Sequence, residues 1–333
     1  MKAKSAGGYS LEKVASQSEL QKEWWPIFQE VFPDKNDQEP LKQLVERFKD
    51  NQRNHFYIIR DEAAGNKAVG IEMRQTDPAL PGAMYIPWAG VAESHRSKGI
   101  FQRTEALRVQ QMKDAGVKYT LFEVEDPKRA HVAYPDQDPA IVRKTAEDRI
   151  KIWRRTTGSQ VVRDPEIDYV RPSARDGQKT QAYDLLSIHV LDKQDPMWAN
   201  VFNADKSAMS KSAYRRFYLE TMRLQYGNKT EGVLRQELPA VDQMLTTFDR
   251  SPKQWVQLDA NASRFNLAKK KYILAEAALR GQRQGVLSDS AVPKSGARFA
   301  GMHMRLQDDR GTSEGNIQCR GQKRSPMRTN TVP

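Results

Sequence analysis

Apolar residues in the first third of the chain fall into four short runs of strand length. Three of them are rich in Val, Ile, Tyr, Phe and Trp and are bounded by polar residues, Gly or Pro, as expected of β-strands. The four runs are residues 9–14, 56–60, 68–73 and 84–91. Stretches of loop-forming residues, 61–67 and 78–82, separate the last three runs. The pattern predicts an antiparallel meander.

A helical pattern follows the first run. Ser16 and Glu19 have the spacing of a capping box, and apolar residues recur at helical intervals from there to Phe32. Pro26 lies inside this stretch, and because proline lacks a backbone N–H we expect it to kink or split the helix. A second helix is predicted over residues 41–48.

The run 84–91 contains Pro87 and Gly90, a combination typical of a bulge that would splay the strand from its neighbour. A helix is predicted over 101–115 and a strand over 119–125. A strand, a helix and a second strand joined by short loops form a right-handed crossover, so runs 84–91 and 119–125 should be parallel.

The later pattern predicts a helix over 138–155, three closing strands and two further helices. The inward positions of the first helix are Ile141, Ala146, Ile150 and Trp153. The strands are residues 160–162, 168–170 and 183–191, and the helices are residues 206–226 and 238–248. We divide the chain into a main domain, 1–194, a helical extension, 195–279, and a basic tail, 280–333, whose composition predicts disorder.

The formal net charge of +12 suggests nucleic acid as a partner, but its distribution weakens that interpretation. Residues 280–333 contain ten Lys or Arg and four Asp or Glu, which is half of the excess. Nucleic acid is therefore expected only through this tail.

The composition argues against disulfide-stabilised, metal-binding and membrane-spanning classes of protein. The single cysteine, Cys319, allows no internal disulfide, and the five histidines have no ligand spacing, so no metal site is expected. No run approaches the roughly 18 apolar residues of a membrane span. We expect a cytoplasmic protein without a membrane partner, either a monomer or a homodimer.

The most informative stretch joins the run 84–91 to the helix that follows it. Its residues Arg96, Ser97, Lys98, Gly99, Ile100 and Phe101 lead directly into that helix. Backbone N–H groups at a helix start have no intrahelical partner and face the positive end of the helix dipole. A loop of this kind binds anions, above all a pyrophosphate.

This loop, with the order of elements around it, resembles the GNAT superfamily of acyl-CoA-dependent N-acyltransferases. The family motif is Arg or Gln, two residues, Gly, one residue, then Gly or Ala; Phe101 replaces its last small residue. The resemblance implies an α/β fold of the α+β type, with a central mixed, largely antiparallel sheet flanked by helices on both faces and, here, a helical C-terminal extension. It also implies acetyl-CoA as co-substrate, bound by the loop residues and by the strand-end residues Ala89 and Val91.

Acyl transfer to an amine requires a group that accepts a proton from the acceptor. The candidates are Glu125, our first choice at the open end of its strand, Glu123 and Glu72. The family often has a tyrosine on its later helix to protonate the leaving thiolate. Trp153 or Arg154 stands at that position here, and neither can act as the acid. Tyr134, in the preceding loop, is a possible substitute.

These observations favour an N-acetyltransferase that transfers acetyl from acetyl-CoA directly to the primary amine of a small molecule or peptide. Two alternatives stay open. The protein could be a catalytically idle GNAT-like protein that binds nucleic acid or an acidic partner through its basic tail. It could also use a longer acyl donor, because Phe101, Trp88 and Trp153 could line a wider apolar channel.

Overall fold

Twelve strands are present in the computed structural model, which describes residues 5–33, 38–172, 180–181 and 184–259. In chain order they are β1 (Ser5–Ala6), β2 (Tyr9–Lys13), β3 (Asn54–Asp61), β4 (Lys67–Gln75), β5 (Ala83–Val91), β6 (Tyr119–Glu125), β7 (Gln160–Val161), β8 (Arg171–Pro172), β9 (Thr180–Gln181), β10 (Asp184–Val190), β11 (Ala208–Ser210) and β12 (Trp255–Gln257). Eight of them form one sheet in the order β1-β2-β3-β4-β5-β6-β10-β7.

Nine α-helical segments accompany these strands in the described residues. They are α1 (Gln17–Glu19), α2 (Trp25–Val31), α3 (Leu41–Lys49), α4 (Ile100–Asp114), α5 (Ala130–Ala133), α6 (Pro139–Thr157), α7 (Lys211–Tyr226), α8 (Glu231–Glu237) and α9 (Pro239–Arg250). The predicted fold class is confirmed: a mixed sheet lies between helices on both faces.

Strands β2 to β5 form the predicted antiparallel meander, and β5 pairs with β6 in parallel. The crossover through α4 imposes this direction, because a helix returns the chain to the same edge from which it left. Strand β10 then inserts antiparallel between β6 and the short β7.

The first helix is interrupted, as Pro26 predicts. A π-helical turn, Leu20–Trp24, separates α1 from α2, and Pro26 lies in the first turn of α2. The backbone of Trp24 and Trp25 stays helical, so the interruption is a local change of helical spacing just before the proline. Trp24 is fully buried and stacks on Phe28, with 5.0 Å between the ring centroids.

The sheet has two differently covered faces. On one face, α4 and α6 cover residues such as Met84 and Phe122. On the other face, α2 and α3 cover the meander, while α7 and α9 pack on Tyr85 and Leu121 of the parallel pair. The segment after residue 195 therefore shares a core with the sheet.

A bulge distorts β5 at its centre. Met73 of β4 pairs with Trp88, and Gln75 pairs with Tyr85, so one residue of β4 lies opposite two residues of β5. The extra residue falls at Ile86 and Pro87, where proline has no N–H to donate to the ladder.

Several predicted elements differ from the observed ones. Residues 168–170 are not a strand, and residues 208–210 form β11, which pairs with β12, rather than the start of the helix predicted from 206. Helix α8 was not predicted. In α6, Ile141 is exposed and its neighbour Val142 is buried, because the helix begins at Pro139 and turns Val142 inward.

The basic tail 280–333, residues 260–279 of the predicted extension and Tyr183 lie outside the described residues. Within the part of the chain that the structure describes, no helix is long and apolar enough to cross a membrane. The same residues contain no group of three His, Cys, Asp or Glu side chains arranged to hold a metal ion.

Candidate active site

The parallel strands β5 and β6 are joined at one end and parted at the other. Their pairing ends at Tyr85 and Leu121, although β5 continues to Val91 and β6 to Glu125. The parting begins where the bulge displaces β5 from its regular path. The result is a wedge-shaped gap in the middle of the sheet, which we call the strand gap.

Backbone groups of β5 face into the strand gap. The N–H of Ala92 donates to the carbonyl of Val69 in β4, 2.9 Å away. Because successive residues of a strand point their backbone groups to opposite sides, those of Val91 and Ala89 are directed away from β4. Two of the predicted binding residues thus direct their backbone N–H groups toward a ligand in the gap.

The strand gap leads to the start of α4. A single 3-10 turn, Glu93–His95, follows β5, and Ser97 and Gly99 then adopt left-handed backbone conformations with φ of +63° and +67°. Gly99 is the N-cap residue of α4 and supplies no capping side chain. The first N–H groups of this helix are therefore available to an external anion.

The charged side chains of this loop suit the same ligand. Arg96, Ser97 and Lys98 are exposed, and the Arg96 Nε lies 3.4 Å from the carbonyl of Val91, at the mouth of the strand gap. Free N–H groups, a helix dipole and two exposed cations form a donor set that fits a pyrophosphate. Ile100, by contrast, is buried and anchors the helix start in the core.

The two departures from the family pattern touch each other. The rings of Phe101 and Trp153 are 5.6 Å apart, and Phe122 packs on Trp153 at 4.7 Å. The guanidinium of Arg108 lies over both Phe101 and Trp153, at 5.4 and 5.5 Å. These aromatic rings form a wall on the face covered by α4 and α6.

Trp88 does not belong to this wall. It packs on Phe28 and Phe32 at 5.0 Å each, on the face covered by α2. The three aromatic residues considered for a wide acyl channel therefore lie on opposite faces of the sheet. This placement removes the observation that suggested a longer acyl donor.

Glu72 is a structural carboxylate and a poor candidate for the base. It is fully buried, accepts from Arg74 Nε at 2.6 Å and forms an ion pair with Arg108 Nε at 2.5 Å. Burial alone would raise the pKa of Glu72, but the two arginines hold it below its usual value. An ionised carboxylate clamped by two cations has little affinity for a proton.

Glu123 bridges the two strands where they begin to part. The hydroxyl of Tyr85 on β5 donates to one carboxylate oxygen at 2.7 Å, and the hydroxyl of Tyr169 donates to the other at 2.5 Å. Arg171 Nε lies 3.5 Å away. Burial, followed by the charge of Glu123, raises the pKa of both tyrosines, so the two phenols stay protonated donors.

A second carboxylate shares the same arginine. Arg171 Nε lies 2.5 Å from Asp184 at the start of β10. Burial raises the pKa of Asp184 to about 6, with Arg171 opposing the rise and Glu123 adding to it. Burial would lower the pKa of Arg171, but the two carboxylates raise it well above its usual value.

Glu125 lies at the outer end of β6 and belongs to a different cluster. It accepts from the hydroxyl of Tyr134 at 2.8 Å and pairs with Arg149 of α6 at 2.5 Å. Tyr134, considered as a substitute acid, thus lies against a candidate base, a contact that the sequence did not predict. Arg154, the other residue at the position of the family's tyrosine, pairs with Asp259 at 2.9 Å.

Four functional candidates escaped the sequence analysis: Tyr85, Tyr169, Arg171 and Asp184. Tyr85 and Asp184 lie within predicted strands, where an isolated polar residue is usual. Tyr169 lies in a stretch predicted to be a strand. Nothing in the local spacing links these positions, because only the fold brings them to Glu123.

Comparison with known proteins gives similarity at the level of three-dimensional structure alone. No protein-family profile and no curated protein sequence matches the chain. A solved structure described as an acetyltransferase of the GNAT family from Bacteroides thetaiotaomicron aligns over 66% of this chain and 99% of its own, with 17% identity and a TM-score of 0.42. A GNAT family acetyltransferase from Elizabethkingia anophelis with acetyl-CoA bound covers 55% of this chain and 99% of its own, at 10% identity and a TM-score of 0.36.

A third similar structure is a ribosomal-protein-S5-alanine acetyltransferase from Vibrio fischeri. It covers 58% of this chain and 99% of its own, with 14% identity and a TM-score of 0.36. The sheet order, the parallel β5–β6 pair that parts, and the helix start at Gly99 are seen in this chain itself. These features match the fold that the sequence resemblance to the GNAT superfamily implied.

Proposed function

We propose that this protein is an acyl-CoA-dependent N-acyltransferase that transfers acetyl to a primary amine of a small molecule or peptide. One observation carries the proposal: the strand gap, edged by the N–H groups of Ala89 and Val91, leads directly to the uncapped start of α4. A ligand with an extended amide-containing arm and a pyrophosphate matches both parts. Coenzyme A is such a ligand, and it supplies the thioester.

Different residues of the chain would bind the pyrophosphate and the arm of coenzyme A. The N–H groups from Ser97 to Phe101 bind the pyrophosphate, and Arg96 and Lys98 add charge-assisted contacts. Backbone N–H groups of β5 pair with the arm and polarise the thioester carbonyl. In the reaction a C–N bond forms and the C–S bond breaks with its electron pair moving to sulfur. The ammonium loses two protons in all; below the thiol pKa of about 8.5 the thiolate takes up one, so one net proton is released to solvent.

The amine must lose a proton before it attacks. An alkylammonium group has a pKa of about 10.4, so about one molecule in a few thousand is neutral at pH 7. Among the three candidates, Glu123 suits this step best. Its hydrogen-bond partners Tyr85 and Tyr169 are neutral and Arg171 lies 3.5 Å from it, whereas arginines contact Glu125 and Glu72 at 2.5 to 2.6 Å.

The leaving group needs no acid from α6. Neither Trp153 nor Arg154 can donate a proton to sulfur. A thiol has a pKa of about 8.5, so the thiolate is an acceptable leaving group near neutral pH. Trp153 then serves as part of the aromatic wall, in contact with Phe101 and Phe122.

Titration calorimetry with coenzyme A tests the proposal. Charge reversal at two exposed loop positions, Arg96→Glu with Lys98→Glu, should weaken binding at least tenfold, because two attractions to phosphate become repulsions. The matched control is Lys144→Glu, at an exposed position on α6, which should leave affinity unchanged. No detectable heat with the unaltered protein at millimolar coenzyme A would contradict the proposal.

A further inference from the structure

The carboxylate of Glu123 is held by groups from outside the parted strands. Tyr169 and Arg171 come from the segment 163–172, which lies between β7 and β10. We infer that Tyr169 and Arg171 are positioning residues that fix the orientation of Glu123 and keep it ionised for the proton transfer. The inference rests on the proposed function and assigns a task to a segment that the strand gap alone does not require.

The segment 163–172 is itself firmly anchored. Asp164 accepts from the N–H groups of Glu166 and Ile167 at 2.9 and 3.3 Å, and from Lys253 at 2.9 Å. The hydroxyl of Tyr218 on α7 donates to the carbonyl of Val170 at 2.9 Å. Contacts on both sides therefore hold the backbone that presents Tyr169 and Arg171.

Two hydroxyl groups define the orientation of the carboxylate. Tyr169 and Tyr85 each donate to a different oxygen of Glu123. Each carboxylate oxygen has about two lone-pair sites. Arg171 approaches Oε2, the oxygen that Tyr85 holds, so Oε1 is the oxygen that retains a site to accept a proton from an amine. The side chain is 10% exposed, which leaves it little freedom to turn.

Arg171 compensates the negative charge of two neighbouring carboxylates, Glu123 and Asp184. It is the cation that touches both Glu123, at 3.5 Å, and Asp184, at 2.5 Å. Two neighbouring carboxylates in a buried site cannot both stay ionised without a cation, so one of them would keep a proton near neutral pH. A protonated Glu123 could not accept a proton from the acceptor.

Other titratable groups also face Glu123 and must be considered with it. They are Tyr85 on β5, Glu125 on the same strand, Asp184 on β10, Tyr169 and Arg171 of the segment, and Tyr218 and Tyr226 on α7. The tyrosines are neutral below pH 10, since the pKa of each is raised. Arg171 is the one cation in this set, so its removal should change the net charge around Glu123 most.

The test follows the carboxyl carbons of the Glu123–Asp184 pair by ¹³C NMR in protein labelled at Asp and Glu, with assignments from Glu123→Gln and Asp184→Asn. In Arg171→Gln, the pair should take up its first proton at a pH at least one unit higher, a tenfold gain in proton affinity. Arg171→Lys should restore most of the original titration, because it retains the charge.

Tyr169→Phe provides a second, milder variant in case Arg171→Gln does not fold. Loss of its hydrogen bond should raise the same titration by several tenths of a unit. Its matched control is Tyr214→Phe, another buried tyrosine of the same core, which should leave the titration unchanged.

A merely structural role predicts lower unfolding temperatures with unaltered titrations in Arg171→Gln and Tyr169→Phe, and that result would overturn the inference. The outcome is independent of coenzyme A. Failure of the proposed function appears as absent binding in calorimetry, whereas failure of this inference appears in the titration alone.

Discussion

Gly90 shows how closely a single residue of β5 is fitted to its surroundings. A Cβ atom at this position would lie 2.1 Å from Cγ1 of Val31 in α2. Because real atoms do not approach so closely, only glycine allows α2 to lie against the parted strand. The position of the helix beside the strand gap thus depends on the absence of one methyl group.

Gly90→Ala should therefore lower the free energy of unfolding by about 1–3 kcal/mol, through the overpacking of α2 against β5. Urea denaturation measures the change. Adding Val31→Ala should recover part of the loss, since it removes the clashing methyl groups. Gly232→Ala in α8 is the control: its Cβ would meet open space, so stability should stay equal or rise by up to about 1 kcal/mol. An unchanged free energy of unfolding in Gly90→Ala would contradict the close packing of Val31 against Gly90.

Some residue roles were predictable from sequence and others were not. The loop residues from Arg96 to Phe101 lead into the start of α4, as their local spacing predicted. Their proposed binding role rests mainly on backbone groups, so the same spacing could indicate it. The role of Glu72 depends on Arg108, which is distant in sequence, so alternation along the strand could not separate a structural carboxylate from a base.

At the scale of elements, a buried ion cluster fastens β4 to α4. Glu72 of β4 joins Arg108 of α4 and Arg74 of its own strand, and Arg108 also pairs with Glu105 at 2.7 Å. This cluster holds the helix whose first turn would bind the pyrophosphate. The anion site is thereby fixed to the sheet through the body of the helix.

Glu72→Gln should destabilise the protein by about 3–5 kcal/mol, because it leaves the buried guanidinium of Arg74 without a carboxylate and Arg108 with Glu105 alone. The folded-state pKa of Glu72 lies below its usual 4.5, so its contribution is present above pH 4.5 and is lost as pH falls through the lower folded value. Denaturation at several pH values should show the difference from the unaltered protein shrinking in acid. Glu147→Gln, in the partly exposed pair with Arg143, should cost less than about 1 kcal/mol at any pH.

Elements with a strong local signal were predicted well. Strand 119–125 and the helix ending before Gly227 follow from apolar runs and a terminating glycine. Residues 168–170 were predicted to be a strand because Tyr and Val favour that state, yet Tyr169 is turned to Glu123 by tertiary contacts. The short β11 depends on its partner β12, some 45 residues later, which local pattern cannot reveal.

At the scale of the whole molecule, the helices after residue 195 complete the fold. Trp198 and Phe217 pack on Tyr119 of β6 at 5.5 and 5.2 Å, and Tyr119 donates to Glu220 of α7 at 2.6 Å. These contacts cover the face of the sheet on which Glu123 lies. The sequence predicted a helical extension after residue 194, but not that its core would be continuous with that of the sheet.

In the proposed reaction, the two substrates would approach from opposite faces of the sheet. Coenzyme A would be held on the side of α4 and α6, by the helix start and the aromatic wall around Trp153. The acceptor amine would approach from the side of Glu123, under α7 and the segment 163–172. The strand gap is the opening in the sheet through which the two substrates could meet.

The most direct test of this account is hydrogen exchange of the backbone amides, measured by mass spectrometry with and without saturating coenzyme A. Coenzyme A should slow exchange in peptides covering residues 86–101. In this stretch the N–H groups of Ala89 and Val91 face the gap, and those at the start of α4 are free. Peptides from β2 and β3, at the far edge of the sheet, should be unaffected. Binding of coenzyme A without protection of 86–101 would contradict the account.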